Sequence, residues 1–254
     1  MLIVPASPPA HAPGLAFPGG GIFFWWQAGA VTALSRRYRL GEMPCVGASA
    51  GALTASLAAC DVDMNEALDV AVRLAEERGL WTRGAWGLYG IWGPMVHDWL
   101  DELLPPDAAD VTRGRLHIVI KRAPRLERPW LEPLVVRDFT SKSDLIDANL
   151  ASAHVPLFLN GRLTAHFRGM RCVDGSLSLR PSSSRRRVVL PHGASLVRIE
   201  PREDERMRDK YRKREDFLRL TSRAGVEEMM AWGEAYVDEM ARNGELAVLA
   251  PFER

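Results

Sequence analysis

Ser49 lies in the pentapeptide GASAG, Gly47 to Gly51, a pattern that could perform nucleophilic catalysis. In a G-x-S-x-G elbow the serine occupies a sharp turn between a strand and a helix, and the two glycines relieve the crowding there. The flanking sequence fits this geometry, because MPCVGAS predicts a strand and AGALTASLAACD predicts a helix. The helix N-terminus would add N–H groups and a positive dipole end beside the hydroxyl. The context therefore predicts an activated serine, although the pentapeptide alone also arises by chance in small-residue helix starts.

Three consecutive glycines, Gly19, Gly20 and Gly21, follow the short apolar strand LAF. A tetrahedral acyl intermediate needs N–H donors about 2.7 to 3.1 Å from its oxygen, and glycine lets the backbone approach that closely. The triplet is therefore predicted to form an oxyanion hole. A plain tight turn or a phosphate cradle at a helix N-terminus are the alternatives. A nucleotide site is disfavoured, since no lysine follows as in G-x-x-x-x-G-K-[ST] and the next residues, IFFWW, are apolar.

Asp174, in CVDGS, is a third candidate, although an Asp-Gly pair is most often only a turn. Ser49, Asp174 and His192 follow the chain order Ser, Asp, His of an α/β-hydrolase-type triad, which leaves a triad esterase as an alternative. His192 lies just beyond the serine and arginine run SSSRRR, which predicts a surface loop. His154, in ASAHVP, is expected to pack on the helix that precedes it. Neither histidine is therefore expected to be essential.

Strands alternate with helices along the chain, an order that predicts an α/β fold with a mostly parallel central sheet. Further helices are predicted in NEALDVAVRLAEER, HDWLDELLPPD and SKSDLIDANLASA, the last with Ser141 or Ser143 as its cap, and a further strand in RLHIVIKRA. Residues 1–13 are proline-rich and predict a disordered or extended lead-in. Residues 14–200 are predicted to form the main domain, and residues 201–254 a charged helical tail that packs back on it.

Composition limits the classes of partner, compartment and cofactor that the sequence predicts. A formal net charge of +1 gives no electrostatic reason to expect nucleic acid as a partner. Three cysteines without C-x-x-C spacing favour a reducing, intracellular compartment over a disulfide framework or a structural zinc site. The six histidines show no metal spacing, so neither a metal nor a cofactor is expected. The N-terminus lacks the basic region of a secretory signal, and no run reaches the roughly 18 apolar residues of a membrane span. Any lipid contact is expected to be peripheral.

The three motifs, in this order, resemble those of the patatin-like phospholipases, and more closely the branch that includes adiponutrin and adipose triglyceride lipase. GGG at Gly19, GASAG around Ser49 and CVDGS around Asp174 stand where that family has its oxyanion loop, its elbow and its D-G-[GA] motif. The stretches SKSDLIDANLASAHVPLFL and FRGMRCVDGSLS are similar to the family's helix, S-x-x-x-P turn and aspartate strand. The resemblance covers residues 15–178.

This resemblance implies a patatin-like three-layer α/β sandwich and a Ser-Asp dyad, in which Asp174 accepts the proton of Ser49. It also implies hydrolysis of phospholipid or acylglycerol esters at a peripheral membrane or lipid-droplet surface; protein partners are not indicated. Two departures stand out. Ser176 replaces the second glycine of D-G-G, and Ile22 and Phe23 follow the glycines where many members place an arginine. A non-catalytic lipid-surface scaffold is the remaining alternative, and the Ser176 departure is its only support.

Two further features could contact lipid. Four of the eight tryptophans, Trp81, Trp86, Trp92 and Trp99, lie in LWTRGAWGLYGIWGPMVHDWL and predict either a lipid-contacting flap or a core around the rim of the site. Basic clusters occur at Arg185, Arg186 and Arg187 and at Lys210, Arg212, Lys213 and Arg214. Both could meet anionic headgroups, but the acidic residues interspersed in the second favour a solvated helix face.

Overall fold

The structure, a computed structural model, describes residues 12–84, 87–127, 129–177, 195–208, 210, 218 and 220–254. A seven-stranded mixed sheet forms its centre, and helices flank the sheet. The strands are β1 (Gly14–Phe17), β2 (Cys45–Ala48), β3 (Leu116–Arg122), β4 (Glu132–Val136), β5 (Ala165–Phe167), β6 (Met170–Val173) and β7 (Leu196–Arg198). The helices are α1 (Phe24–Ser35), α2 (Ala50–Ala59), α3 (Met64–Glu77), α4 (Trp92–Leu103), α5 (Ala108–Val111), α6 (Lys142–Ser152) and α7 (Arg223–Arg242).

The sheet order is β5-β6-β3-β2-β1-β7, and β4 pairs with β3 outside this path. Strands β7, β1, β2 and β3 pair in parallel, whereas every pairing that involves β4, β5 or β6 is antiparallel. The fold class is confirmed, with the parallel strands grouped at the centre and on one side of a mixed sheet. Phe17 pairs with Gly47, so β1 and β2 end side by side. The segments that follow these two strands must therefore meet at one edge of the sheet.

Side-chain caps begin two of the helices, one of them, at α6, as the sequence predicts. The Ser141 hydroxyl accepts a hydrogen bond from the Asp144 amide at 3.1 Å, so Ser141 is the cap of α6. The Asp63 carboxylate caps α3 in the same way, by accepting from the Asn65 amide at 2.7 Å. Helix α2 has no side-chain cap, and all of its residues are buried. Its position thus depends on packing between the sheet and α1 rather than on a local terminus signal.

Helix α7 packs directly against α1 through two glycines. A Cβ atom on Gly29 would lie 1.9 Å from the Met230 carbonyl oxygen, and one on Gly233 would lie 1.9 Å from the Trp26 carbonyl oxygen. The two backbones therefore touch with no side chain between them at these points. The indole of Trp26 also donates to the buried carboxylate of Asp204 at 2.7 Å.

The predicted division of the chain into a lead-in, a main domain and a C-terminal tail stays a prediction. Residues 1–11 of the predicted lead-in lie outside the described part of the chain, whereas Ala12 is buried. Within the predicted helical tail, Pro201–Glu203 and Glu205–Met207 are short 3-10 turns, Arg223–Arg242 is helix α7, and residues 211–217 lie outside the described part.

Candidate active site

Ser49 occupies a strained turn between β2 and α2. Its φ of 56° and ψ of −127° place a non-glycine residue where side chains crowd the backbone, a conformation that functional sites often hold. The glycines on either side are required by close approach. A Cβ atom on Gly47 would lie 2.0 Å from the Gly51 carbonyl oxygen, and one on Gly51 would lie 2.0 Å from the Phe17 carbonyl oxygen. The structure thus has the strand, turn and helix of a nucleophile elbow.

Asp174 directly follows β6 and is 4% exposed. Its amide donates to the His154 carbonyl at 2.8 Å, which fixes the start of the turn. Carboxylate oxygen Oδ1 accepts two hydrogen bonds from Ser176, one from the amide and one from the hydroxyl, both at 2.7 Å. Oδ2 is buried and accepts no hydrogen bond from any residue that the structure describes. One oxygen therefore anchors the carboxyl, and the other remains available.

Ser49 and Asp174 interact across the site. Burial raises the pKa of Asp174 above its usual value, against the opposing effects of the Ser49 hydroxyl, the Ser176 donors and the charge of Lys121. The Ser49 hydroxyl is close enough to contribute to this balance, although it does not meet ordinary hydrogen-bond geometry with Oδ2. Such hydrogen bonds are often long in enzymes without substrate. The arrangement can transfer a proton from a serine to a carboxylate of raised basicity.

The glycine triplet lies against the serine. A Cβ atom on Gly19 would lie 3.1 Å from the Ser49 Cβ and 2.0 Å from the Ser176 hydroxyl oxygen, so position 19 has no room for a side chain. The Gly19 and Gly20 amides donate to no carbonyl within the described ranges. Gly21 has a φ of 55°, which favours glycine. The glycine backbone thus lies close to the serine at Gly19, where an oxyanion hole is predicted.

Gly19→Ala is expected to lower kcat by about 10²-fold or more, by analogy with the loss of one oxyanion donor. The new methyl group would force the loop away from Ser49 and Ser176, and with it the amide donors. Turnover of a short-chain ester and a thermal melt are the measurements. A matched control is Gly169→Ala, because a Cβ atom on Gly169 would meet nothing within 4 Å. That residue has a φ of 73°, so its substitution tests the general strain of an alanine without touching the site. Unchanged kinetics in Gly19→Ala would indicate an ordinary turn.

Two buried polar side chains, Gln27 and Thr54, hold the glycine loop in place. Gln27 Nε2 donates to the Pro18 carbonyl at 2.8 Å, and the Thr54 hydroxyl donates to Gln27 Oε1 at 2.8 Å. This chain of contacts connects the residue just before the glycines to α2, which begins at the elbow. Sequence reasoning missed both residues. The available signal is the polar Gln27 within the apolar helix start FFWWQAGAV.

Ser152 connects the elbow to the aspartate turn. Its hydroxyl accepts from the Ser49 amide at 2.9 Å and donates to the Val119 carbonyl of β3 at 2.7 Å. Its carbonyl accepts from the Gly175 amide at 2.9 Å. Ser152 is the serine of the S-x-x-x-P turn, and these contacts give that turn a physical role: it fixes the spacing between Ser49 and Asp174.

His154 lies behind the aspartate turn and is buried. Its Nε2 pairs with the Arg162 carbonyl at 3.1 Å, while its Nδ1 is buried without a partner in the described part of the chain. Burial lowers the pKa of His154, so the imidazole is neutral near neutral pH. His192 lies outside the described residues, as do Arg185, Arg186 and Arg187. The triad alternative is therefore not tested by the geometry.

An apolar pocket opens beside Ser49, and its walls include Ile22, Phe24, Leu53, Leu88, Trp92 and Phe158. It holds about 40 Å³, far below the roughly 300 to 1,000 Å³ of typical ligand pockets, so a long acyl chain requires the walls to move. A larger pocket of about 300 Å³ lies at the other ends of α1 and α2 and contains none of the candidate catalytic residues. The smaller pocket, next to the serine, is the relevant one.

The four tryptophans of the run do not share one environment. Trp99 is buried, stacks edge-on against Phe24 at 5.3 Å and donates to the Ala67 carbonyl at 2.7 Å. Trp92 lines the pocket, and Trp81 is 41% exposed. Trp86 and residues 212–214 of the second basic cluster lie outside the described residues. Lys210, the described member of that cluster, pairs with Glu228 at 3.4 Å.

Two further findings concern metals and membranes. Among the described residues, no group of three or more His, Cys, Asp or Glu side chains could hold a metal ion. The helices of the described ranges include none that is both long and apolar enough to cross a bilayer.

Comparison with known proteins gives consistent matches. A family model described as patatin-like phospholipase matches residues 15–180. The chain is 34% identical to the human omega-hydroxyceramide transacylase over 174 residues, which are 65% of this chain and 30% of that protein. It is 32% identical to the mouse 1-acylglycerol-3-phosphate O-acyltransferase Pnpla3 over 170 residues, 65% of this chain and 39% of that protein. It is 30% identical to the human patatin-like phospholipase domain-containing protein 4 over 168 residues, 65% of this chain and 64% of that protein. The match thus spans less than two thirds of each relative.

Proposed function

The chain belongs to the patatin-like phospholipase family, and from that premise we propose that it is a serine acyl hydrolase acting on ester bonds of glycerolipids. The observation that carries the proposal is the convergence of three elements at one point. Ser49 occupies the elbow turn, and its hydroxyl lies near Asp174, whose Oδ2 accepts no hydrogen bond from any described residue. The glycine loop comes so close that a Cβ atom on Gly19 would lie 3.1 Å from the Ser49 Cβ.

The proposed mechanism has two steps. In the first, the Ser49 hydroxyl oxygen attacks the ester carbonyl, and its proton passes to Oδ2 of Asp174. The Gly19 to Gly21 amides stabilise the oxyanion, and the leaving alcohol departs with the proton from Asp174. In the second, water attacks the acyl-enzyme and gives a proton to Asp174. The fatty acid leaves as the Ser49 hydroxyl regains that proton, which restores the site.

A carboxylate is ordinarily a weak base, and the environment of Asp174 compensates for this. Burial raises its pKa and so makes the ionised form a stronger proton acceptor. Activity should therefore require pH values above this raised pKa and fall as the carboxyl becomes protonated. The two hydrogen bonds from Ser176 to Oδ1 hold the carboxyl so that Oδ2 remains the reactive oxygen. The Ser176 departure from D-G-G is thus compatible with catalysis, which weakens the scaffold alternative.

Acyl transfer to an alcohol is a second candidate function. Two relatives carry the names transacylase and O-acyltransferase. The specific observation that favours transfer is that Ser49 is 7% exposed and lies beside an apolar pocket. An apolar alcohol could compete with water for the acyl-enzyme at such a site.

Incubation with a fluorophosphonate probe and mass-spectrometric mapping of the adduct tests the serine mechanism. We expect a single adduct on Ser49. Phosphatidylcholine or triacylglycerol in mixed vesicles should release fatty acid, and added monoacylglycerol separates hydrolysis from transfer by the product formed. A folded protein with no label and no product would contradict the proposal and support the non-catalytic scaffold.

We further propose that the protein works at a lipid surface inside the cell. The three cysteines are unpaired, consistent with a reducing compartment. Three exposed apolar side chains, Tyr89, Leu157 and Leu163, are 52%, 45% and 67% exposed. Tyr89 and Leu157 adjoin the pocket residues Leu88 and Phe158 in the chain, and Leu163 follows Arg162, whose carbonyl accepts from the Leu157 amide. The Tyr89 ring contacts the pocket residue Phe158 at 6.3 Å. Leu157 holds a φ of 68°, an unusual conformation for a bulky residue. We call Tyr89, Leu157 and Leu163 the rim.

Replacing the three rim residues with serine is expected to weaken vesicle binding at least about tenfold, since each apolar side chain buried in lipid contributes about 1.5 kcal/mol or more. Binding is measured by sedimentation with phosphatidylcholine vesicles in the Ser49→Ala background, so that the lipid is not consumed. Val248→Ser is the matched control, because Val248 is 40% exposed in the C-terminal 3-10 turn Ala247–Phe252. Equal losses in both variants would exclude a specific docking role for the rim.

A further inference from the structure

Lys121 spans the turn that carries Asp174. It lies on β3 directly opposite Val173, the residue before the aspartate. Its ammonium group donates to the Leu177 carbonyl, and the Leu177 amide donates to the Asp174 carbonyl at 3.1 Å. The Lys121 ammonium group therefore contacts the Asp174–Leu177 turn from the neighbouring strand.

The buried carboxylate of Asp174 needs compensation for its charge. Burial of an ionised carboxyl is costly unless donors or an opposite charge offset it. From its own turn Ser176 supplies two neutral donors, and from α2 the Ser49 hydroxyl faces it. His154, which follows α6, is neutral near neutral pH.

Lys121, from β3, supplies the positive charge. The charge of Lys121 lowers the pKa of Asp174. Burial lowers the pKa of Lys121 in turn, and the charge of Asp174 opposes that shift. The next residue of β3, Arg122, instead pairs with Glu132 of β4 at 3.1 Å.

We propose that Lys121 is a positioning residue for the reaction, which keeps the Asp174 carboxylate ionised and its turn fixed beside Ser49. The inference rests on the proposed serine mechanism and adds a residue that none of the three family motifs contains. On this proposal, Lys121 determines how far the pH can fall before the enzyme loses activity.

The expected pH dependence has a definite sign. Loss of the positive charge makes protonation of Asp174 easier, so the base is lost at a higher pH than in the wild type. The acid limb of the kcat/KM profile should therefore move to higher pH, and activity should return once the medium is alkaline enough to ionise the carboxyl. A purely structural defect would lower kcat/KM by a similar factor at every pH.

The test compares Lys121→Met and Lys121→Arg with the wild type on a soluble short-chain ester, from about pH 4.5 to about pH 9.5. On the acid limb, Lys121→Met should lose about tenfold in kcat/KM, as expected for removal of an opposite charge near a carboxyl, and at the alkaline plateau less than about threefold. Lys121→Arg should keep the limb near its wild-type position. Lys142→Met is the control, since Lys142 also pairs with a carboxylate, Asp101 at 3.4 Å, but belongs to the N-terminus of α6.

If Lys121→Met fails to fold, Lys121→Gln takes its place in the same test. Lys121→Gln removes the charge and keeps a donor for the Leu177 carbonyl, so it should move the acid limb as Lys121→Met does. Thermal melts establish that each variant is folded. An active wild type whose acid limb stays in place in both neutral variants would overturn the role of Lys121 alone. A wild type without Ser49-dependent turnover would overturn the serine mechanism, and this inference with it.

Discussion

Ser49→Ala is expected to abolish ester hydrolysis, with a loss of about 10⁴-fold or more in kcat, because no acyl-enzyme can form without the hydroxyl. The fold should tolerate the change. The Ser49 side chain does not cap α2, and alanine keeps the backbone amide that donates to Ser152. The melting temperature should therefore stay nearly unchanged or rise slightly, as is common when a functional group is removed from a strained site. Steady-state turnover and a thermal melt measure the two effects.

Ser56→Ala provides the matched control on the same helix. Its hydroxyl and the Asn149 amide group exchange hydrogen bonds at 3.1 and 2.9 Å, and both residues are fully buried. Removing it should lower the free energy of unfolding by about 1 to 3 kcal/mol, since Asn149 loses its partner. Most of the turnover should remain. The two serines thus have opposite expected effects on activity and stability, and full turnover in Ser49→Ala would rule out the serine mechanism.

Local sequence signals predicted the centre of the fold. Strands β1 and β2 are short apolar runs that end in glycine-rich turns, and α1 and α2 follow at once, so chain order alone places the glycine triplet and Ser49 at one edge of the sheet. Helix α6 was predictable because Ser141 is a strong cap. These features depend on residues adjacent in sequence, which explains why they could be read without the structure.

The peripheral strands could not be predicted in this way. Strands β5 and β7 have three residues each, too few to show an alternating pattern, and β4 contains a proline. These strands form only because partners distant in sequence pair with them: β7, near the C-terminal end of the sheet's sequence, pairs with β1, the first strand. A strand of this kind is stabilised by its neighbour rather than by its own propensity.

The supporting residues of the site were missed for the same reason. Ser49 and Ser152 are separated by 103 positions, and their hydrogen bond exists only after α6 has packed against the sheet. The contact between Gln27 and Thr54 likewise joins two helices. Motifs identify the reacting groups, which must have fixed chemistry. The residues that position them can be any polar side chain with suitable geometry, and a single sequence does not distinguish them.

Asp174→Asn is expected to lower kcat by about 10³-fold or more, because the amide cannot accept the serine proton. The substitution keeps the shape of the side chain and an oxygen for the two Ser176 donors. Because burial raises the pKa of Asp174, its ionisation opposes folding as the pH rises through and above the usual range of a carboxyl. A neutral asparagine should therefore leave the melting temperature unchanged or higher at neutral pH. Loss of activity with a retained melt would assign the effect to chemistry.

The histidine variants separate a dyad from a triad. In a triad, loss of the imidazole costs nearly as much as loss of the serine. His154 is neutral, and its Nε2 is engaged by the Arg162 carbonyl, so it is not arranged to shuttle a proton. His154→Ala and His192→Ala should each keep at least about a tenth of wild-type turnover, a barrier change of about 1.4 kcal/mol or less. The pH profile should show an acid limb from Asp174 and no essential group near about 6.5, the usual histidine value. If His192→Ala proves as inactive as Ser49→Ala while folded, His192 is the base and the triad replaces the dyad.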